Sequence, residues 1–254
     1  VGDSTAARRR AEEAYAAEAD PGLKFFAART RSVLFTDLDD EIVWLARCDP
    51  ESRDVQAALA TARGQRAERD GDDAAAADFF RQALGTYAQI PEGPAALNNT
   101  ALAHFALYRV TLDRDEFARG ADKLDRAIAL DPSNVIALVN ASGTVSEGAA
   151  RDAVGKAVDF AALRGPSPWE VLPHLYRTPA ERAALAKRLA AHPGFVRGRA
   201  YADKLLVLSP RRDDSYQLLS LLLEHADDLD GLKALAAREE QDDLNITDAE
   251  AGDC

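Results

Sequence analysis

Two segments of this chain repeat each other at a fixed separation of 41 residues. Each segment carries a proline, an Ala-Leu pair and an asparagine, which are Pro91, Ala96, Leu97 and Asn99 in the first and Pro132, Ala137, Leu138 and Asn140 in the second. Residue types that recur at one offset indicate that one structural unit is used more than once. A single unit cannot bury its apolar face alone, so such units are expected to stack. The repeat therefore predicts a binding scaffold rather than a catalyst.

Composition favours helices as the elements of that unit. Of the 254 residues, 47% are hydrophobic and only 7% are aromatic, with alanine and leucine frequent. Small apolar residues let helices approach closely, and the sequence has no run of alternating β-branched residues closed by a hairpin turn. These features predict an all-α protein.

Prolines and helix caps divide the chain into segments. Pro50, Pro91 and Pro132 are spaced by 41 residues, and Thr178 before Pro179 and Glu181 is a typical helix start. The predicted helices are 5–19, 22–35, 37–48, 53–69, 73–88, 94–112, 114–130, 134–146, 148–164, 168–176, 179–191, 194–208, 213–225 and 229–240. Residues 241–254 are rich in acidic side chains and are predicted to form a disordered tail.

Residues 57–83 carry small and aromatic residues at spacings that resemble those of the tetratricopeptide repeat, namely Gly64, Gly71, Ala76, Phe80 and Ala83. In that family the first glycine lets the two helices of a unit touch, and the second glycine ends the first helix. The resemblance implies a right-handed α-solenoid of antiparallel helix pairs, with about 12–14 helices in all. The next unit has Leu102 where the first glycine belongs, and the third unit restores a glycine at Gly143.

The resemblance also divides the chain into parts. Residues 1–50 are expected to form N-terminal helices outside the repeat, and residues 51–166 the repeat core. Residues 167–240 are expected to form degenerate helical repeats, followed by the acidic tail at 241–254.

In the family, a partner peptide lies along a concave wall made by the first helix of each pair. We aligned the Ala-Leu pair at Ala58 with those at Ala96 and Ala137 to find the wall-facing positions. The candidate partner-binding residues are Thr61, Gln65, Glu68, Asn99, Asn140, Thr144 and Glu147, and the same rows include Ala103 and Ala106. An asparagine side chain donates and accepts, which suits the backbone of an extended peptide. Alternatively, Asn99 and Asn140 bond to helix backbone and fix the stacking.

Charge restricts the classes of partner. The chain has 43 acidic and 31 basic residues, a net charge of −12, and no basic stripe of the kind that binds nucleic acid. The wall positions include Glu68 and Glu147 but no lysine or arginine, so a neutral or basic peptide is favoured. No apolar run approaches the ~20 residues of a membrane span, which predicts a cytoplasmic protein without a membrane partner. Because the sequence contains no methionine, a removed export signal stays open.

The sequence contains no familiar catalytic motif. Its four histidines lack metal-binding spacing, and there is no nucleophile elbow, P-loop or dinucleotide fingerprint. The acidic run at 37–41 is interpreted as partners of a helix dipole. We therefore predict no catalytic residue, cofactor or metal.

The favoured function is an interaction scaffold that binds a partner peptide or domain. A regulatory or structural segment of a larger protein is the alternative, followed by an all-α enzyme with titratable side chains converging in a closed pocket.

Overall fold

The computed structural model describes residues 4–34, 36–154, 169, 172, 178–210 and 213–252. These residues form twelve helices and no strand, which confirms the predicted all-α class. The helices are α1 (Ser4–Ala17), α2 (Pro21–Ser32), α3 (Leu38–Leu45), α4 (Arg53–Asp70), α5 (Asp73–Tyr87), α6 (Pro94–Thr111), α7 (Arg114–Leu130), α8 (Val135–Val154), α9 (Pro179–Ala191), α10 (Pro193–Leu208), α11 (Asp213–His225) and α12 (Leu229–Gly252). The predicted helix 168–176 and most of 148–164 lie outside the described residues.

The chain divides into two compact units, residues 1–123 and residues 124–254, and the boundary lies inside α7. Within the described parts of both units, no helix combines the length and apolar character of a membrane span.

The helix boundaries follow the period seen in the sequence. Helices α4, α6 and α8 begin at Arg53, Pro94 and Val135, each 41 residues after the one before. Helices α5 and α7 begin at Asp73 and Arg114, which are again 41 residues apart. The repeat therefore marks where helices start as well as which residues recur.

In the first unit, each helix from α1 to α5 packs against the next one along the chain, and α4 also contacts α6. The turn between α4 and α5 is built as the sequence predicts. Gly71 ends α4 with a left-handed φ of 83°, and the amide of Asp72 donates to the carbonyl of Ala67 at 2.9 Å. The Asp72 carboxylate then caps α5 by accepting from the amide of Ala75 at 3.0 Å.

A glycine facing an aromatic ring brings the helices of each pair together. A Cβ on Gly64 of α4 would lie 2.5 Å from the ring of Phe80 on α5, so only glycine fits there without a shift. In the next pair the ring and the glycine exchange helices, because a Cβ on Gly120 of α7 would lie 2.9 Å from the ring of Phe105 on α6, and Phe105 lies 41 residues after Gly64. The second pair therefore has no need of a glycine at Leu102.

In the second unit, α8 packs against α10 in an antiparallel pair. Ser146 lies one further period after Phe105, and its Oγ would be 2.0 Å from a Cβ on Gly198 of α10. By contrast, no described atom lies within 4 Å of a Cβ on Gly143. Most of the helix predicted to cross at Gly143, residues 148–164, lies outside the described residues, and within the described part the close crossing is made at Gly198.

Two helix ends differ from the predictions. Helix α8 continues to Val154 without the turn predicted near residue 147, since Ser146, Ala149 and Ala150 are all buried. Burial of this face outweighs the cost of about 1 kcal/mol for a glycine inside a helix. Helix α12 extends to Gly252, so residues 241–252, predicted to be disordered, are helical in the structure.

A buried arginine joins the N-terminal helices. Arg31 of α2 is 5% exposed, and its Nε donates to Glu12 of α1 at 2.6 Å. Its two Nη atoms donate to the Asp40 carboxylate of α3 at 2.9 and 3.1 Å. The Trp44 ring lies 5.2 Å from the guanidinium, so three helices converge on one cation.

Candidate functional site

The candidate wall in the first unit is the half-exposed face of α4 and α6. Two alanines of α6, Ala103 and Ala106, are 0% and 2% exposed because they pack among residues of α4 and α5. Their small side chains let α6 lie close to α4. The alignment placed both alanines on an open wall, and in the structure they form the seam between the helices.

The polar positions of this face differ in how much of their bonding capacity they use. Thr61 is half-buried, and its hydroxyl donates to the carbonyl of Ala57 at 2.9 Å. Gln65 is also half-buried, whereas Asn99 is exposed. The Oδ1 of Asn99 accepts a hydrogen bond from Nδ2 of Asn98 at 3.3 Å. The exposed amide of Asn99 keeps its own N–H donors on the surface, where a partner can reach them.

The acidic side chain on this face has an internal counterion. Glu68 of α4 accepts hydrogen bonds from Nε and Nη2 of Arg109 on α6, both at 2.9 Å. This two-point geometry is the strong form of an arginine–carboxylate pair. Because the charges of Glu68 and Arg109 cancel, this part of the face is electrically neutral.

The remaining candidates lie on α8, in the second unit. Asn140, Thr144 and Glu147 are all half-buried. The Thr144 hydroxyl donates to the carbonyl of Asn140 within the same helix. Asn140 and Glu147 also take part in polar or electrostatic interactions, so neither is free. These three residues share one stripe of α8, as their spacing predicts.

The helix starts correct the alignment of the first unit. Counted from Arg53, Pro94 and Val135, the position of Asn99 and Asn140 is held in α4 by Ala58 and not by Thr61. The shift is three residues, or about 60° around a helix. Ala58 packs with Ile42 and Leu45 of α3, so it offers no polar group. The helix starts therefore pair Ala58 with Asn99 and Asn140, and the partner-binding role of Thr61 stays a prediction.

Sequence reasoning missed two residues of this face, Leu102 and Arg109. Leu102 is 38% exposed and lies one turn beyond Asn99 on α6. With the period of 41 residues, Leu102 of α6 corresponds to Thr61 of α4, and Arg109 of α6 corresponds to Glu68 of α4. The spacing of Pro50 and Pro91 was the signal that could have identified both.

The acidic run before α3 serves as caps and counterions. Asp37 caps the helix by accepting from the amide of Asp40 at 2.9 Å. Asp39 accepts from Arg66 and Arg69 of α4, both at 3.3 Å, and hydrogen bonds from Arg69 and then Arg66 lower the pKa of Asp39. Among the described residues, no group of three or more histidine, cysteine or acidic side chains could hold a metal ion.

The histidines have different surroundings. His104 Nδ1 lies 2.6 Å from Glu116, and His192 accepts a hydrogen bond from the amide of Gly194 at 3.1 Å. The ring of His225 stacks on Trp169 with centroids 4.7 Å apart, and burial lowers the pKa of His225. Of these, His104 lines a cleft with other polar groups.

Comparison with known proteins finds no family model and no curated protein that matches this chain.

Proposed function

We propose that this protein is an interaction module that binds a partner peptide or domain on the face formed by α4 and α6. We also propose that the helices form a right-handed α-solenoid of antiparallel pairs, which resembles the tetratricopeptide repeat. The observation that carries it is the recurrence of helix starts at 41 residues together with the direct packing of α4 on α6. Two first helices side by side present one continuous surface to a ligand.

The chemistry of this face favours a neutral peptide. Asn99 offers exposed amide donors, and Leu102 adds an apolar contact of one side chain. The Glu68–Arg109 pair leaves no net charge to select a strongly basic or acidic ligand. An extended peptide with an apolar residue, bound through its backbone to Asn99 and Gln65, fits these groups.

The test begins with a displayed library of random peptides selected on the intact protein. The affinity of an enriched peptide is then compared between wild type, Asn99→Ala and Arg63→Ala. Arg63 is the matched control because it is exposed on α4 but lies about 200° around the helix from Gln65. Loss of one hydrogen-bonding partner costs about 0.5–1.5 kcal/mol, so Asn99→Ala is expected to raise the Kd roughly 2–10-fold.

Equal affinity of the wild type and Asn99→Ala would place the peptide elsewhere. A weakened Arg63→Ala with an unchanged Asn99→Ala would contradict the proposal directly. Thermal unfolding of both variants is the control for folding, since Asn99 is exposed and its truncation should leave the melting temperature nearly unchanged.

A second candidate, a regulatory segment of a larger protein, is favoured by the position of α3. This helix from the N-terminal part packs on α4 through Ile42 and Leu45, which contact Ala58 and Ala62. If α3 regulates access to α4, a bound peptide will increase amide hydrogen exchange in α3. Unchanged exchange in α3 would identify it as a structural cap of the repeat helices.

A further inference from the structure

A cleft of about 310 Å³ lies between α5, α6 and α7, wholly within the first unit. Its apolar wall includes Leu84, Tyr87, Ile90 and Leu97. Small-molecule sites begin at roughly 300 Å³ and combine an apolar lining with a few convergent polar groups. The size and lining of the cleft therefore suit a compound of about ten non-hydrogen atoms.

One polar group of the cleft is an oriented imidazole. Nδ1 of His104 is 2.6 Å from one carboxylate oxygen of Glu116, and the other oxygen accepts a hydrogen bond from Arg119. An ionised carboxylate can only accept, so Nδ1 carries the hydrogen of that bond. The ring of His104 is thereby held in one orientation, with Nε2 as the nitrogen left for a ligand.

A second polar group is the ammonium of Lys123 on α7. Its Nζ is 3.2 Å from Oε1 of Glu92, and its side chain is 25% exposed against 52% for Glu92. An ammonium has three N–H donors, and among the described residues one is directed to Glu92. The hydroxyl of Thr100, also in the cleft, donates to the carbonyl of Ala96 at 2.7 Å. The cleft therefore offers the remaining N–H donors of Lys123, while Nε2 of His104 offers a lone pair.

The geometry points to a binding site for a small organic carboxylate. The carboxylate accepts hydrogen bonds from Nζ of Lys123, and the ring of His104 forms part of the wall of the same cleft. The apolar body of the ligand rests on Leu84, Ile90 and Leu97. A charge-assisted hydrogen bond at a partly buried lysine provides the affinity, and the apolar wall restricts the size of the ligand.

This site is separate from the peptide face. His104 and Leu102 are two positions apart on α6, which places them about 200° apart around the helix. A ligand in the cleft and a peptide on the other side of α6 therefore use different side chains. The carboxylate site stands or fails independently of the proposed scaffold function.

The test is an NMR titration of the intact, isotope-labelled protein with benzoate and with butyrate, and with benzamide as the uncharged control. We expect saturable shifts of the His104 imidazole nitrogens and of cleft amides with both carboxylates, at a Kd in the millimolar range set by about six to nine non-hydrogen atoms. Lys123→Met keeps the aliphatic stem and is expected to raise this Kd at least about tenfold. Lys187→Met, an exposed lysine of α9, is the matched control and is expected to bind as wild type does.

Three results would overturn the carboxylate site. The first is the absence of saturable shifts with either carboxylate. The second is binding of benzamide as tight as that of benzoate, which would reduce the cleft to an apolar contact. The third is an unchanged Kd in Lys123→Met, with circular dichroism showing that the variant is folded.

Discussion

Gly64 lies where α4 crosses α5, and its missing side chain determines how close the two helices come. A methyl group there would be 2.5 Å from the Phe80 ring, which is fully buried. We therefore expect Gly64→Ala to lower the free energy of unfolding by about 1–3 kcal/mol through overpacking. Urea unfolding followed by circular dichroism measures the change.

The control for this substitution is Gly85→Ala on α5. No described atom lies within 4 Å of a Cβ on Gly85, so alanine adds helix propensity without a collision. It is expected to stabilise the protein by about 0.5–1 kcal/mol. If Gly64→Ala proved as stable as Gly85→Ala, the close crossing at Phe80 would be wrong.

Asp40 links stability to acid pH through the buried Arg31. Burial by itself would raise the pKa of Asp40, but hydrogen bonds from Thr36 and Arg31 outweigh it and lower that pKa below its ordinary value. A carboxyl whose pKa is lowered on folding contributes stability above the unfolded pKa. That contribution is lost as the pH falls through the folded pKa. The free energy of unfolding should therefore decrease from about pH 5 downward.

Asp40→Asn is expected to remove part of this acid dependence and to cost about 2 kcal/mol at neutral pH, where Arg31 loses a charged partner. Asp78→Asn, which changes an exposed carboxylate of α5, serves as the comparison and should keep the wild-type pH dependence. Urea midpoints at pH 7 and pH 3 for the three proteins measure the difference. Parallel pH profiles for Asp40→Asn and wild type would contradict the role given to Asp40.

At the scale of elements, α8 and α10 are held by a serine–glycine contact in place of the ring–glycine contacts of the first unit. Ser142 and Ser146 are both 0% exposed, and the hydroxyl of each has no hydrogen-bond partner among the described residues. A buried hydroxyl without a partner costs about 1–3 kcal/mol. Ser146→Ala is therefore expected to be neutral or stabilising, although it alters a fully buried side chain.

A double-mutant cycle tests the contact itself. Gly198→Ala places a methyl group 2.0 Å from Oγ of Ser146 and should be destabilising by about 1–3 kcal/mol. In the Ser146→Ala background that loss should shrink, since the colliding oxygen is gone, with a coupling energy of about 0.5–2 kcal/mol. Additive effects in the cycle would show that the two helices do not meet at this point.

The parts of the fold that were predictable from sequence are those determined locally. Gly71 and Asp72 stop one helix and start the next through bonds within a few residues, so their pattern is readable without a structure. The continuation of α8 through Gly148 depends on burial against other helices, which a local pattern does not contain. The ion pairs of Arg31 were also not predictable from a local pattern, because Glu12 and Asp40 become its partners only when three helices pack together.

The positions of the candidate residues on their helices were partly predictable, and their partner-binding role stays a prediction. Asn99 is exposed on α6 as expected, yet the alignment by Ala-Leu pairs placed Thr61 three residues from the equivalent position in α4. A helical pattern does not reveal an alignment error of three residues, because such a shift rotates a side chain by only about 60° around the helix axis. The ion pair of Glu68 with Arg109 requires knowing that α4 touches α6, which the repeat alone does not show.

At the scale of the whole molecule, α7 is the element that belongs to both compact units. Ala121 and Leu124 are 6% and 0% exposed on either side of the boundary within that helix. Breaking a helix at one end removes hydrogen bonds that support the next turn, so a continuous helix transmits unfolding along its length. We therefore expect the two units to unfold in one cooperative transition.

The two tryptophans make this testable, because Trp44 lies in the first unit and Trp169 in the second. In Trp169→Phe the fluorescence of Trp44 should have the same urea midpoint as the circular dichroism of the whole chain, and likewise for Trp169 in Trp44→Phe. Adding Asp122→Gly weakens α7 at the boundary by about 0.3 kcal/mol and should begin to separate fluorescence from circular dichroism. Adding Asp78→Gly to α5 costs a similar amount away from the boundary and should move both signals together. If fluorescence and circular dichroism gave different urea midpoints in the single-tryptophan proteins that carry neither glycine substitution, α7 would not couple the two units.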